Sequence, residues 1–553
     1  MPQQFDLLKA SAVTQIQSDL EAAVAASASQ AKLAALAVGA PIVTSLPSPV
    51  PANGSIVLLQ DPDFPSVTTV HEVRDGVWEF IGALGWAITP RHYGASLDPT
   101  VDSRSAIVAA LAANGYAFID REYGVSAPIE LTDGQKVFGL TEQVSKLTST
   151  EIDSAWGLRE GILTLVGEGC GVENLSLDGR RTNTTTFVGG RSSGIYLRST
   201  SSNARVRNVT ALHFTRHSFC ILGQGHILEN ITGGDACADP LAFGSGEEAP
   251  FVRDCHVRGY TSIIGSHQRG IFEFDDGSVD CSLSGVRASG FYQSPYMSVS
   301  DHGRDGENNA RCTVRDVEIH VATRPPRGTR LIEIVSGSGL TARDIVFEDI
   351  TVTGYGLPVV YIVEGDVVGV RLRRIKMSGI RVLGAFANSS SVFVEDVIAE
   401  DCDLEFDFDH WITAVDDTGS GLRLRRAIGC GLVNSRITNC FSSVLRVETN
   451  SDDVIFSGNS VLNPCRDASG TPAVNFTVSN TAPFGLGLKT VNDNKIIDEL
   501  GNMSAAVATQ LVFTNQFITR NLFKGYTGAN AISESGSLAA NKVWDQNIEI
   551  PAS

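Results

Sequence analysis

An all-β solenoid, a chain wound into stacked coils, is the fold class that three features of the sequence predict. Short β-rich runs recur from about residue 160 onward at spacings of roughly 22 to 34 residues, the range in which repeats mean a solenoid. One short helix pattern stands immediately before them, where a cap is needed. Gly is frequent at 54 residues while charged residues are only 19% of the chain, which suits many short strands and turns better than long surface helices.

The repeat is degenerate: a polar residue sits between two short apolar strands, as in "VENLSL", "VRNVTAL", "LENITG", "VRDCHV", "VRDVEI", "FEDITV", "LRRIKM" and "VEDVIA". Its polar positions run Asn174, Asn208, Asn230, Asp254 and again Asp316, Asp349, Arg374, Asp396. Asn and Asp tolerate left-handed backbone better than other side chains, so these positions read as corners. A single coil cannot cover its own apolar face, whereas stacked coils pair their backbones in long parallel sheets around one core. At 553 residues a compact core would have stopped growing, and a solenoid escapes that limit by lengthening along one axis.

The stretch "ITPRHYGASLDPTVDSRSAIVAALAANGYAFIDREYGVSAPIEL", residues 88 to 131, opens the repeats. Asp102 is placed to cap a helix whose apolar side is Ala106, Ile107, Ala110 and Leu111, and Gly115 stands where it should stop. "HYGASLDPTVDSRSAIVAAL" and "EYGVSAPIELTDGQKVFG" resemble the opening segment of right-handed parallel β-helix proteins of the pectate-lyase-like superfamily, and of phage tailspikes within it. The likeness rests on His92 to Ala95, Ala106, Ile107, Tyr123 and Gly124, with "SLDPTV" replacing the usual Gly-Asp-Gly turn.

That resemblance implies a homotrimeric virion protein of a phage tail, assembled in the host cytoplasm, that binds a bacterial surface polysaccharide and joins a phage tail or baseplate protein through its N-terminus. Tailspikes often hydrolyse their glycan with paired carboxylates, one holding a proton for the leaving oxygen and one acting as base or nucleophile. Two readings stay open at this point: a glycoside hydrolase acting as depolymerase, and a structural or adhesive fibre without chemistry.

Four regions are expected. Residues 1–40 carry Val13, Ile16, Leu20 and Val24 at helical spacing and read as a virion-anchor helix. Residues 41–87 begin with a Pro-rich linker and continue as a small β domain. The β-helix occupies 88–465, and 466–553 read as a β-rich capping and trimerisation region.

Charge and cysteine usage narrow the partners. A net charge of −19 argues against a general nucleic-acid binder, and an anionic glycan would need a locally shielded groove. The ten cysteines include no CxxC pair and several stand inside apolar strands, so they read as small buried hydrophobes, and no metal or other cofactor is expected. No basic stretch leads into an apolar one at the N-terminus and no run of about twenty apolar residues occurs, so neither Sec secretion nor membrane insertion is expected.

The densest group of candidate acids lies in "GSHQRGIFEFDDGS" and "SPYMSVSDHGRDGENNARC". Glu273 and Asp275 alternate around Phe274 and should share one side of a strand, and Asp301 and Asp305 lie about one coil later. These four are the catalytic candidates; Tyr292, Tyr296 and His302 are candidates for binding sugar. "GGDACADP", with Asp235 and Asp239, and "EFDFDHW", with Asp407, Asp409 and Trp411, are rival acidic clusters. "RIK" at Arg374 to Lys376 matches a polygalacturonase motif whose acidic companions are missing, and it reads as coincidence.

Overall fold

The structure is a computed structural model of the chain. It describes residues 42–43, 48, 55–60, 68–74, 77–84 and 89–552, omitting within the last span 153–155, 157–159, 183–191, 237, 245–250, 264–269, 276, 291–294, 302–307, 327, 338–339, 388–393, 408–420, 449–450, 467–470, 477–487, 511–514 and 536–540. The anchor helix expected over 1–40 lies outside the described residues.

The small β domain is a four-stranded sheet. Ile42–Val43 runs parallel to Ile56–Gln60, and the latter continues antiparallel through Thr68–Arg74 to Val77–Leu84. The helix Arg104–Asn114 then precedes the first coil, burying Ala106, Ile107, Ala110 and Leu111 as the spacing predicts. Ser103 occupies the cap position, and Asp102 accepts the Arg104 N–H from one residue upstream. Gly115 ends the helix in left-handed backbone at φ 74°. Tyr123 of the opening segment is buried and donates to Asp120, so this motif residue holds the first coil together.

From there the chain is a parallel β-helix. One sheet consists of fifteen short strands among the described residues, from Ile129–Leu131 to Ile532–Ser535. The rest of a coil is either one longer strand bent into two faces or two shorter strands, one on each face. Gly171–Asp178 shows the bend, because its first half pairs with Lys136–Gly139 and its second half with the separate strand Lys146–Ser149.

The bend sits at a left-handed residue. Asn174, Asn208 and Asn230 have φ 54°, 52° and 52° and stand in register on successive coils. Their amides form an outward ladder, Asn208 donating to Asn174 at 2.9 Å and Asn230 to Asn208 at 3.3 Å. The column continues through Gly259, Gly285, Asp316, Asp349 and Arg374. Asp254 and Asp396, which the sequence pattern groups with it, belong to a second left-handed column one corner earlier in the coil, with Asp280, Arg311 and Asp344. Both columns demand the same residue types, so the repeat alone merges them. Arg374 of "RIK" bonds Asp349 at 2.6 Å and Glu348 at 3.0 Å, a brace between coils.

Inward positions of the short-strand sheet stack into two apolar columns. Phe219, Leu241, Phe272, Met297, Ile332 and Tyr361 form one, and Ile221, Phe243, Phe274, Val299, Ile334 and Val363 the other, all fully buried. Each such side chain contributes roughly 1.5–3 kcal/mol relative to exposure. Gly384 follows Tyr361, and a Cβ there would lie 1.7 Å from the Tyr361 carbonyl oxygen, so only glycine fits that rung. The nine described cysteines are free and buried; Cys255, Cys281 and Cys312 stack on consecutive coils.

The parallel ladders do not stop at 465. Leu488–Asn492, Asn515–Thr519 and Asn541–Asp545 pair in turn, as do Lys495–Ile497, Leu522–Tyr526 and Ile548–Pro551. The segment read from sequence as a separate cap is therefore more solenoid. Its core includes a buried asparagine ladder: Asn494 accepts from the Asn459 backbone and side chain at 2.9 and 3.1 Å and donates to Asn521 at 3.0 Å, and Asn521 donates to Asn547 at 3.0 Å. Polar residues in the core hide this stretch from a search for apolar periodicity.

Three substitutions test the corners and the ladder. Asn208→Val should lower stability by about 1–2 kcal/mol through the left-handed penalty while Asn208→Gly keeps most of it. Asn494→Ala should cost at least ~2 kcal/mol, since it leaves buried partners without bonds. Thermal unfolding of each variant reads both effects; equal melting of the Val and Gly variants would contradict the first.

Candidate functional site

The outward side of the short-strand sheet carries two of the four candidate acids, Glu273 and Asp275. The strand Phe272–Phe274 pairs with Met297–Val299, so the two acidic segments singled out in the sequence lie on adjacent rungs. Phe274 points into the core, and Glu273 and Asp275 fall on the opposite side by parity; Glu273 is half-buried and Asp275 is 8% exposed. Asp301 ends the next strand, where its backbone registers with Ser336. Asp305, His302 and Tyr292 lie outside the described residues.

Tyr296 does not offer a face to a sugar. Its ring is fully buried, and its hydroxyl donates to the Gly290 carbonyl at 3.4 Å. It precedes the first inward residue of its strand, Met297, and the coil closes over it.

The residue missed in the sequence is Glu333. The registers Glu273 to Ser298 and Ser298 to Glu333 place the two glutamates in one outward column, two rungs apart. At the usual spacing of parallel strands their Cα atoms are roughly 9–10 Å apart. Burial pushes the Glu333 carboxyl above its ordinary value; Arg330, which forms an ion pair with it, pulls the other way, and the charges of Glu364 and Glu273 push it further up. A carboxyl so placed holds its proton to higher pH than an exposed glutamate does. Its signal is present as the one acid, at an outward position, of the largely apolar run "RLIEIVS".

The rival cluster around Asp235 is an ion-pair network along one corner. Lys146 bonds Asp178 at 2.9 Å, Asp178 meets His213 Nδ1 at 3.0 Å, and Asp235 lies 3.7 Å from His213 Nε2 and pairs with the buried Arg181. Burial pushes Asp178 up, but bonds from His213, Lys146 and the Arg180 N–H together hold it well below 3.8. The bond to Asp178 raises His213 above 6.5, against an opposing contribution from burial. Asp239 is nearly buried, and its backbone carbonyl accepts from His217 at 2.6 Å. Asp178, held ionised by these bonds, is a poor proton donor. In the other rival cluster Asp409 and Trp411 lie outside the described residues.

Among the described residues no group of three or more His, Cys, Asp or Glu is placed to hold a metal ion, and no helix is long and apolar enough to cross a membrane.

No protein-family model and no curated protein sequence matches the chain. Among solved structures it is similar to the N-terminal fragment of bacteriophage phi29 gene product 12, at 14% identity and a TM-score of 0.48, covering 79% of this chain and 75% of that one. It is similar to the catalytic unit of a GH87 α-1,3-glucanase from Streptomyces thermodiastaticus, at 12% identity, a TM-score of 0.45 and coverage of 74% and 68%. A family 28 exopolygalacturonase from Yersinia enterocolitica aligns at 11% identity and a TM-score of 0.40, covering 71% and 80%. At these identities and scores they assign no activity, and the parallel β-helix stands on the strand registers of the chain itself.

The His213 bond makes a pH prediction. Its contribution to stability is fully present below 6.5 and fades as pH rises through the raised value in the folded chain, whereas that of Asp178 is lost only as pH falls through its depressed value. Asp178→Asn should therefore move the NMR titration of His213 to lower pH; an unchanged midpoint would show that Asp178 does not set it.

Proposed function

We propose that the chain is a phage tailspike whose short-strand sheet binds a bacterial surface polysaccharide and hydrolyses it. The observation that carries this reading is the outward column of Glu273 and Glu333, in which burial pushes the Glu333 carboxyl toward its protonated form. Glu333 serves as general acid to the leaving oxygen. Glu273, with Asp275 beside it, activates water from the other side of the bond. A separation of two rungs is too wide for a nucleophile and acid some 5–5.5 Å apart and suits the wider spacing of inverting enzymes.

Three right-handed solenoids side by side form the particle-bound trimer, each burying one face, with residues 466–553 contributing to the contact between subunits. Residues 1–40 attach it to a tail or baseplate protein. The opening-segment resemblance and the Pro-rich stretch after residue 40 support this arrangement.

Glu333→Gln and Glu273→Gln should each keep glycan binding and lower the release of reducing ends from host surface polysaccharide by at least ~10²-fold, the usual scale for losing acid–base catalysis. Asp275→Asn, Asp301→Asn and Asp305→Asn belong in the same assay. Full activity in the Glu333 and Glu273 variants would move the chemistry elsewhere, and a wild type that binds without cleaving would make the protein an adhesive fibre. Light scattering should give three times the mass of one chain; a monomer at micromolar concentration would end the trimer.

A further inference from the structure

The same outward column changes sign along its length. Beyond Glu333 it runs through Ile362 and Ala385 to Arg423 and Arg446 on the next rungs. Ile362 and Ala385 are half-buried and give an apolar floor, on which the C–H face of a sugar ring can rest. Arg423 and Arg446 then project from adjacent rungs, 48% and 41% exposed, with the exposed Arg425 on the same side of the sheet.

Among the described residues these guanidiniums have few counter-charges. Glu448 is shared between two of them, 2.7 Å from Arg423 and 3.2 Å from Arg446. Among the described residues no carboxylate lies within ion-pair distance of Arg425. Among the described residues, two guanidiniums sharing one carboxylate with a third on the same side of the sheet make a local surplus of positive charge on a chain whose net charge is −19. Elsewhere on the solenoid surface several arginines have an acid of their own on a neighbouring coil, Arg311 with Asp280, Arg371 with Asp396 and Arg520 with Asp493. Fork-shaped guanidiniums at fixed spacing suit a carboxylate, which they can grip through two parallel bonds.

We propose that this end of the face selects a polysaccharide bearing carboxylate groups, and that Arg423 and Arg446 read an acidic sugar about three rungs, roughly 14 Å, from Glu333. The inference rests on the short-strand sheet being the glycan face, and it names the substrate class that the acids alone leave open. The acid end repels such a polymer and the arginine end attracts it. The charge gradient therefore sets the direction in which the glycan lies.

The test uses the full chain with Glu333→Gln, so that no polymer is consumed, and measures binding to polygalacturonate, alginate and hyaluronate beside the carboxyl-reduced form of each. At least one acidic polymer should bind ten-fold or more tightly than its reduced form, and more weakly as salt rises. Arg423→Ala with Arg446→Ala should remove that preference while melting as the parent does, and Glu448→Gln should strengthen binding several-fold by releasing both guanidiniums. Equal binding of acidic and reduced forms, binding of none of the six, or an unchanged preference in the double Arg variant would overturn the proposal. Cleavage is scored separately with the chain carrying Glu333. Arg-dependent binding without cleavage sinks the hydrolase and leaves this inference standing, whereas cleavage of a neutral glycan does the reverse.

Discussion

In-register stacking of coils is the constraint on which the rest of the molecule depends. A parallel ladder satisfies the backbone N–H and C=O groups of one coil only if the next returns to the same height and phase. Each turn must therefore bend at the same places, and the bends fall on residues that accept left-handed backbone, with Asn174, Asn208 and Asn230 as the plainest case. Once phase is fixed, every inward or outward position becomes a column. Leu241, Phe272 and Met297 must then be apolar together, and Glu273 and Glu333 are brought onto one face although they are far apart in sequence.

That constraint also decides how much was legible in the sequence. The helix Arg104–Asn114 was readable because its apolar spacing and closing Gly115 are local. The left-handed asparagines were readable because the residue type itself carries the information. The assignment of Asp254 and Asp396 to a corner required the strand pairing, since two corners per coil ask for the same side chains. The solenoid beyond 465 was hidden because Asn459, Asn494 and Asn521 fill core positions that a hydrophobic pattern leaves blank. Tyr296 misled because an aromatic beside acids looks like a sugar platform until its depth is known. Glu333 went unnoticed because one acid in an apolar strand acquires meaning only from the rungs beside it.

Electrostatics along the short-strand sheet then follow from register alone. Acids collect over the middle rungs, and burial raises the proton affinity of Glu333 above its ordinary value. Arginines collect three and four rungs further on, around a single shared glutamate. The corner network of Lys146, Asp178, His213, Asp235 and Arg181 is of another kind, since each charge there already has its counter-charge. A face with unbalanced charges at its two ends is suited to a long, oriented polymer; a balanced network is suited to holding coils together.

The most direct measurement of the central claim is a crystal structure of the chain carrying Glu333→Gln with an oligosaccharide from the host surface polysaccharide bound. Sugar density should run along the outward column, from Glu273 over Ile362 and Ala385 to Arg423. Density seated instead on either of the longer-strand faces, with the short-strand sheet bare at saturating ligand, would contradict the account.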